Sequence, residues 1–471
     1  MSVSNTHYGA TYIQNAMKDC RSIFFIGIGG ISMSALARIS AKAGYTVGGS
    51  DRGSSEITRE LSAHGIKVFA GHDADHVTGY DAVVYTVAID EQNPEYLAAK
   101  RLGKHLFSRA DYLGYLMMYF DVRIGVSGMH GKSTCTAMCD AIFCQGGDPT
   151  VLCGAELSGQ EHSSCRIGQS RAHFIFEACE YMDSFLDFNP TLAIVLNIGM
   201  DHVDYFHSME QIRASFRAFA ARTGENGILL CNADDAESVR AFSDFEGRTY
   251  TFGILCEADF SAQSLTLHAD GAEFDFYRKN ELLGRIRLQV CGIHSVYNAL
   301  AAASAAHLCG MPMESIQAGL LSFAGAHRRM EKKGSLNGAV VYDDYAHHPD
   351  EIAATIAGAK QMGFSRVICA YQPHTYSRTV GLFDGFVRAF RGADKVFFAD
   401  IYAAREENPT GITSEALADA IGEHAAYCGG FDCLAKALCQ EARAGDLVIV
   451  MGAGDIFKVF DLLPFDQKRA K

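Results

Sequence analysis

Short apolar runs recur along the chain, and nearly every one stops at glycine or at a polar cluster. The first, "SIFFIGIGGISMSALARISAKAGYTVGGSD", reads as a strand that ends at Gly27, a helix to about Ala43, and a second strand. That is a βαβ unit. "IKVFAG" and "DAVVYTVAI" follow as buried parallel strands, because residues covered on both faces give continuous apolar runs.

The pattern restarts near Val122, where "VRIGVSG" predicts a strand and "KSTCTAMCDAIFCQGG" a helix closed by glycines. "HFIFEACE", "LAIVLNIGMDH" and "NGILLCNADD" are further strands with polar ends, among them Glu177, Glu180, Asn197, Asp201 and His202. In open α/β sheets ligands gather at such carboxyl ends. After the alanine-rich helix "GIHSVYNALAAASAAHLCG", a third block holds "AVVYDDYAHHPDEIAATIAGAK", "SRVICAYQPH", "DKVFFADIY" and "DLVIVMGAGD". The expected class is therefore α/β, as three domains in series: an N-terminal Rossmann-like domain over 1–121, a central P-loop ATPase domain over 122–328, and a C-terminal Rossmann-like domain over 329–471.

Composition changes this little. Of the 471 residues, 48% are apolar and 20% charged, which suits a buried core. There is no long apolar run to span a membrane and no secretory start, so a cytoplasmic protein is expected. The net charge of −14 argues against a general nucleic-acid binder. The 15 cysteines contain no CxxC pair and read as reduced, small core residues. Cys135 and Cys139 stand four apart on a predicted helix without further ligands at zinc spacing.

Chemistry concentrates in "GVSGMHGKSTCTAM", residues 125–138. The common phosphate-loop pattern has glycine five positions before the second glycine. Here that position is Val126. Strand, glycine loop, Lys132, Ser133 and helix still occur in the required order. Backbone N–H groups at the helix start favour phosphate, the lysine supplies a point charge, and Ser133 can ligate Mg²⁺. Glu177, Asp201 and His202 end neighbouring strands as further candidate ligands. The first block's "GIGGIS" has Ser32 where the dinucleotide fingerprint has its third glycine, with Asp51 near the usual acidic position. This loop suits either NAD or the pyrophosphate of a nucleotide sugar. Asp343, Asp344, His347, His348 and Arg378 in the third block suit carboxylates and phosphoryl groups.

Taken in order, "GIGGISM" with "GSD", "GMHGKST", "EACE", "NIGMDH", "GIHSVYNALAA", "FAGAHRRME", "YDDYAHHPDEI", "QPHTYSR" and "MGAGDI" resemble the Mur ligase family over nearly the whole chain. The resemblance implies a UDP-sugar domain, a central ATPase domain and a third domain that completes the site. It implies ATP and Mg²⁺ as cofactors, with UDP-N-acetylmuramate and L-alanine as substrates. The lactyl carboxylate would attack the γ-phosphate, and the resulting acyl phosphate would be taken by the amine. No nucleic-acid or membrane partner is expected, and the chain would act as a monomer or homodimer.

Carried over by motif, Gly128, Met129, His130, Gly131, Lys132, Ser133 and Thr134 would cradle the ATP phosphates. His294 and Asn298 would meet its adenine side, and Arg329 and Asp344 would reach the nucleotide. Ser133 and Glu177 would hold one Mg²⁺ and His202 a second. Lys132, His202, His348 and Arg378 would serve catalysis, with His348 and Arg378 facing the acyl phosphate and alanine. Gly29, Gly30, Ser50, Asp51 and Arg109 would hold the UDP-sugar. Met129 departs from the family's commoner threonine, Cys179 from aspartate and Ser295 from asparagine. Two other readings are a ligase that attaches a ready-made tripeptide to the same sugar and an NAD-dependent oxidoreductase. The latter leaves the second and third blocks unexplained.

Overall fold

The computed structural model describes residues 3–154, 157, 165–202, 205–268, 271–325, 328–404 and 406–466. Ala326 and His327 of "FAGAHRRME" lie outside the described residues. Packing divides the chain into two compact units. One comprises Met1–Gly199, Glu210–Phe252 and Ala301–Pro312, the other Met200–Met209, Gly253–Leu300 and Met313–Lys471.

The first unit opens with β1 (Ser22–Ile26), β2 (Thr46–Asp51), β3 (Lys67–Ala70), β4 (Ala82–Tyr85) and β5 (His105–Ser108). They form a five-stranded parallel sheet in the order β3-β2-β1-β4-β5. β1 and β4 are almost wholly buried. β3 is not the buried strand its apolar run suggests. It sits at the sheet edge with no fully buried residue.

The same unit holds β6 (Val122–Ser127), β7 (Thr150–Leu152), β8 (Cys165–Arg166), β9 (His173–Glu177), β10 (Leu192–Val195), β11 (Ile228–Asn232) and β12 (Arg248–Gly253). Their order is β12-β11-β10-β6-β9-β7-β8. Gly125 lies inside β6, paired with Phe176 on one side and Ala193 on the other. A Cβ there would stand 2.9 Å from the Phe176 ring and 3.2 Å from the Phe219 ring. Gly125 therefore serves packing inside β6. Burying each of those phenylalanines contributes roughly 2 kcal/mol.

The second unit holds β13 (Phe260–His268), β14 (Gly271–Arg278) and β15 (Glu281–Leu288), an antiparallel meander. It also holds β16 (Glu331–Leu336), β17 (Ala339–Asp344), β18 (Val367–Tyr371), β19 (Lys395–Ala399), β20 (Ala425–Gly429) and β21 (Leu447–Met451). These last six form a sheet in the order β16-β17-β21-β18-β19-β20, parallel except for β16. Successive side chains of a strand point to opposite faces. Val367, Cys369 and Tyr371 enter one core, and Ile368 and Ala370 enter the other. That two-sided burial is why β18 and β21 read as unbroken apolar runs. The three sheets with their helices make the α/β class, with mainly parallel strands.

Among the described residues no disulfide links the fifteen cysteines, and no helix is long and apolar enough to cross a membrane. Cys135 and Cys139 share the helix Lys132–Phe143 and are fully buried against one another.

Candidate functional site

Strand register brings the pieces of the phosphate loop together. Glu177, the last residue of β9, stands opposite Val126, and Val195, the last of β10, stands opposite Ser127. The chain beyond each strand therefore emerges at one edge of the sheet. Gly128 has φ +141 and Gly131 has φ +85, values that L side chains rarely adopt. A Cβ on Gly128 would press within 3.2 Å of the Asn197 backbone. Asn197 also grips the loop from the side. Its Oδ1 accepts the His130 N–H at 2.8 Å, its Nδ2 donates to the His130 carbonyl at 3.1 Å, and its own carbonyl accepts the Met129 N–H at 3.1 Å.

Helix Lys132–Phe143 starts from Gly131 without a capping side chain, so its first N–H groups face outward for an anion. Ser133 and Thr134 lie in its first turn. Lys132 Nζ donates to the Gly128 carbonyl at 2.5 Å and the Met129 carbonyl at 3.2 Å, and lies 3.2 Å from Glu180 Oε2. Burial disfavours its charge, but Glu180, Cys179 and Glu177 outweigh burial and hold the amine well above its ordinary pKa. Glu177 Oε1 accepts the Gly154 N–H at 2.6 Å. The Cys153 sulfur lies 3.4 Å from that same oxygen and 3.4 Å from the Ser133 carbonyl. One thiol thus bridges the two residues expected to hold the first metal.

In the N-terminal sheet, Gly27 has φ +85 and no room for a side chain, since a Cβ would lie 2.7 Å from the Thr86 methyl. Gly30 begins helix Ile31–Lys42, again without a capping side chain. Asp51 Oδ2 accepts the Gly29 N–H at 2.8 Å and braces the glycine turn. Ser50, another residue expected beside the UDP-sugar, lies in β2 one residue before Asp51. Its hydroxyl is fully buried and donates to Glu95 at 2.5 Å, and Glu95 in turn holds His72 and His76 at 2.8 and 2.7 Å. Only the Ser50 carbonyl faces the loop, accepting from Gly27 and Ile28. Arg109 opens helix Arg109–Leu116. Burial lowers its pKa while Cys179 and Asp187 oppose that shift, so Cys179 lies within electrostatic reach of both Arg109 and Lys132. The Cys179 thiol itself is pushed up to about 11, by burial first and Glu180 next.

In the second unit, Asp344 stands opposite Met451 and Met451 opposite Tyr371, so the ends of β17, β21 and β18 are level. His348 caps helix Pro349–Gln361. Its Nδ1 accepts the Asp350 N–H at 3.3 Å, while Glu351 accepts from the backbones of His347 and His348. Arg378 Nη2 lies 3.5 Å from Asp201 Oδ1. Burial alone would raise the Asp201 carboxyl, but His202, Arg378 and His348 bring it down to about 2. His202 has φ +50 and donates its N–H to Asp201 at 2.7 Å. Asp344 is pushed up to about 6 by burial, against the pull of Arg329 and two backbone N–H groups. His347 is pushed down to about 4, chiefly by burial. His294 sits in the first turn of helix Ile293–Leu308 with its pKa lowered by burial and then by Arg329, and Asn298 is buried one turn on.

Three family models cover the chain: the Mur ligase family catalytic domain over 22–121, the Mur ligase middle domain over 126–306, and the Mur ligase glutamate ligase domain over 328–454. The UDP-N-acetylmuramate–L-alanine ligase of Caldicellulosiruptor saccharolyticus is 43% identical, over 93% of this chain and 97% of its own. That of Acetivibrio thermocellus is 42% identical, over 95% and 96%. The chain belongs to the Mur ligase family. Among solved structures, the UDP-N-acetylmuramate-alanine ligase of Thermotoga maritima superposes with a TM-score of 0.77 at 26% identity, over 94% of this chain and 97% of that one. A murein peptide ligase of Psychrobacter arcticus has a TM-score of 0.68 at 23% identity over 94% and 98%, a likeness of fold.

Within this Mur ligase, Ser133 and Glu177 offer hard oxygen donors that fit Mg²⁺, and their link through Cys153 and Gly154 keeps the carboxylate at the mouth of the loop. Glu180 is engaged by Lys132 and so serves the lysine. Met129, the departure from the family's commoner threonine, is 8% exposed, and its sulfur fills the space over Gly199. Sequence reasoning passed over Cys153, Glu95 and Arg328. Cys153 and Glu95 lie outside every motif, and Arg328 stands beside Arg329 in a motif whose pattern does not say which arginine does what. Their signal is a contact across many residues of sequence.

Proposed function

We propose that the chain joins L-alanine to the lactyl carboxylate of UDP-N-acetylmuramate at the expense of ATP, in the making of peptidoglycan precursors. The observation that carries this reading is the near full-length identity of about 42% to ligases named for that reaction, in a chain that keeps Lys132, Glu177, His202 and His348.

The chemistry sets two anions against each other, a carboxylate and a triphosphate. Lys132, held charged by Glu180, and the open N–H groups of helix Lys132–Phe143 draw the β- and γ-phosphates and offset the charge that develops on transfer. Ser133 and Glu177, with His202 for a second ion, would hold Mg²⁺, which would supply Lewis-acid neutralisation of phosphate charge. The helix start at Gly30 and the braced turn at Gly29 take the pyrophosphate of the UDP-sugar, with Arg109 beside it. Arg329 and Asp344 face the nucleotide with His294 and Asn298. His348 and Arg378 face the acyl phosphate, whose phosphate leaves as the alanine amine attacks. Residues 1–121, 122–328 and 329–471 form the three working domains.

Purified protein with ATP, Mg²⁺ and UDP-N-acetylmuramate is offered single amino acids or a murein tripeptide, and phosphate release is followed. Release with L-alanine alone supports the reading. Release with tripeptide alone replaces it by the recycling ligase, and release with neither overturns both.

A further inference from the structure

We infer that Arg328 is a positioning residue that sets Arg329 and Asp344 and thereby the affinity for the adenine nucleotide. The inference rests on the reading that Arg329 and Asp344 face ATP.

The two adjacent arginines have opposite fates. Arg328 is 8% exposed, whereas the Arg329 side chain is 27% exposed. The Arg328 guanidinium spends its fork on three acceptors. Nε donates to Asp343 Oδ1 at 3.3 Å, Nη1 to the Gly454 carbonyl at 3.3 Å, and Nη2 to the Gly452 carbonyl at 2.6 Å. The Tyr345 and Phe457 rings flank it at 5.0 and 5.1 Å. One side chain therefore ties the segment entering the C-terminal sheet to the ends of β17 and β21. A lysine in its place would bring a point charge that cannot match a planar three-acceptor set.

The backbone carries the second observation. Arg328 has φ +55 and Met330 has φ +48, both left-handed in residues other than glycine. Such geometry persists only where the surroundings over-determine it. Glu331 accepts the Arg328 N–H at 3.0 Å, and Asp344 Oδ2 accepts the Met330 N–H at 2.8 Å. Asp343 and Asp344 point to opposite faces of β17. One takes the side chain and the other the backbone of the same short turn. Arg329, between them, is left over Tyr345 at 5.2 Å and 3.8 Å from Glu351. Its place is set by its neighbours at 328 and 330.

The test compares Arg328→Lys, Arg328→Met and Asp343→Asn in the full-length protein, by steady-state kinetics and by calorimetric titration with ADP. Each variant is expected to raise KM for ATP and Kd for ADP, by about 10- to 100-fold for Arg328→Met, with KM for the UDP-sugar unchanged. A purely structural role would lower Tm, the active fraction and kcat, and leave the nucleotide constants alone. That result overturns the inference. If Arg328→Met does not fold, Asp343→Asn decides: a nucleotide-selective shift supports the role, and wild-type constants refute it. Should the wild-type protein release no phosphate with any acceptor, the proposed reaction fails while the ADP titration still reads this inference.

Discussion

Lys132 Nζ lies 3.2 Å from Glu180 Oε2 and donates at 2.5 Å to the carbonyl of Gly128, four residues back in its own loop. The acid keeps the ammonium charged in a buried place, and the carbonyl keeps it folded over the loop. Replacing Lys132 by methionine should cut turnover by at least about 100-fold, because a fixed positive group at the transferring phosphoryl is lost. It should also destabilise the fold by about 3–5 kcal/mol, since the buried Lys132–Glu180 pair loses its cation. The double variant Lys132→Met/Glu180→Gln should regain most of the Tm and none of the turnover. Near-normal turnover in either variant would remove Lys132 from catalysis.

Asn197 clamps His130 through both ends of its amide. Asn197→Ala loses two hydrogen bonds and should cost about 2 kcal/mol of stability. The loosened loop should raise KM for ATP more than it lowers kcat. Equal KM values in the two proteins would show that the loop needs no clamp.

Glu177→Gln should shift the Mg²⁺ requirement. The half-saturating Mg²⁺ concentration, read from binding of an ATP analogue at fixed nucleotide, is expected to rise about tenfold or more with loss of a charged ligand. Chelation of the metal should abolish turnover in both proteins. An unchanged Mg²⁺ curve would remove Glu177 from the metal site.

The Asp344 carboxyl is raised from 3.8 to about 6 by burial. The folded state therefore holds a proton that the unfolded chain has released between about pH 4 and pH 6. Its contribution to stability is fully present below pH 4 and is lost as pH rises through 6, by about 3 kcal/mol in all. Asp344→Asn cannot titrate, so its stability should fall less over that window. Denaturant unfolding at about pH 3.5 and about pH 7, either side of the shift, reads the difference. Equal slopes in the two proteins would contradict the raised pKa.

Ser50→Ala tests which way that hydroxyl works. Because it donates to buried Glu95, its removal should cost about 1 kcal/mol or more of stability and leave KM for the UDP-sugar unchanged. A raised KM with unaltered Tm would return Ser50 to the ligand.

Much of this was legible in the sequence where one rule governs one segment. Continuous apolar runs marked β1, β4, β10, β18 and β21, because strands covered on both faces leave few polar positions. Proline suits the first position of a helix, and Pro349 stands there with His348 as its cap. The meander of β13, β14 and β15 was not read. Only two of the nine residues of β13 are buried, so the strand offers neither an apolar run nor a clean alternation. The phosphate loop and the strand ends with Glu177 and Asp344 were legible as local patterns. Residues that act across the chain were not: Glu95 reaches Ser50 over 45 residues, and Cys153 reaches Glu177 over 24. Only folding makes such neighbours.

The contact of Met129 with Gly199 has an evolutionary consequence. A side chain at 199 would overlap the methionine sulfur, so bulk in the turn after β10 competes with bulk in the loop after β6. Gly199→Ala should force the Met129 side chain aside and cost less stability beside a shorter residue at 129, such as Met129→Thr. Related sequences should therefore show covariation between these positions, with bulk at one excluding bulk at the other.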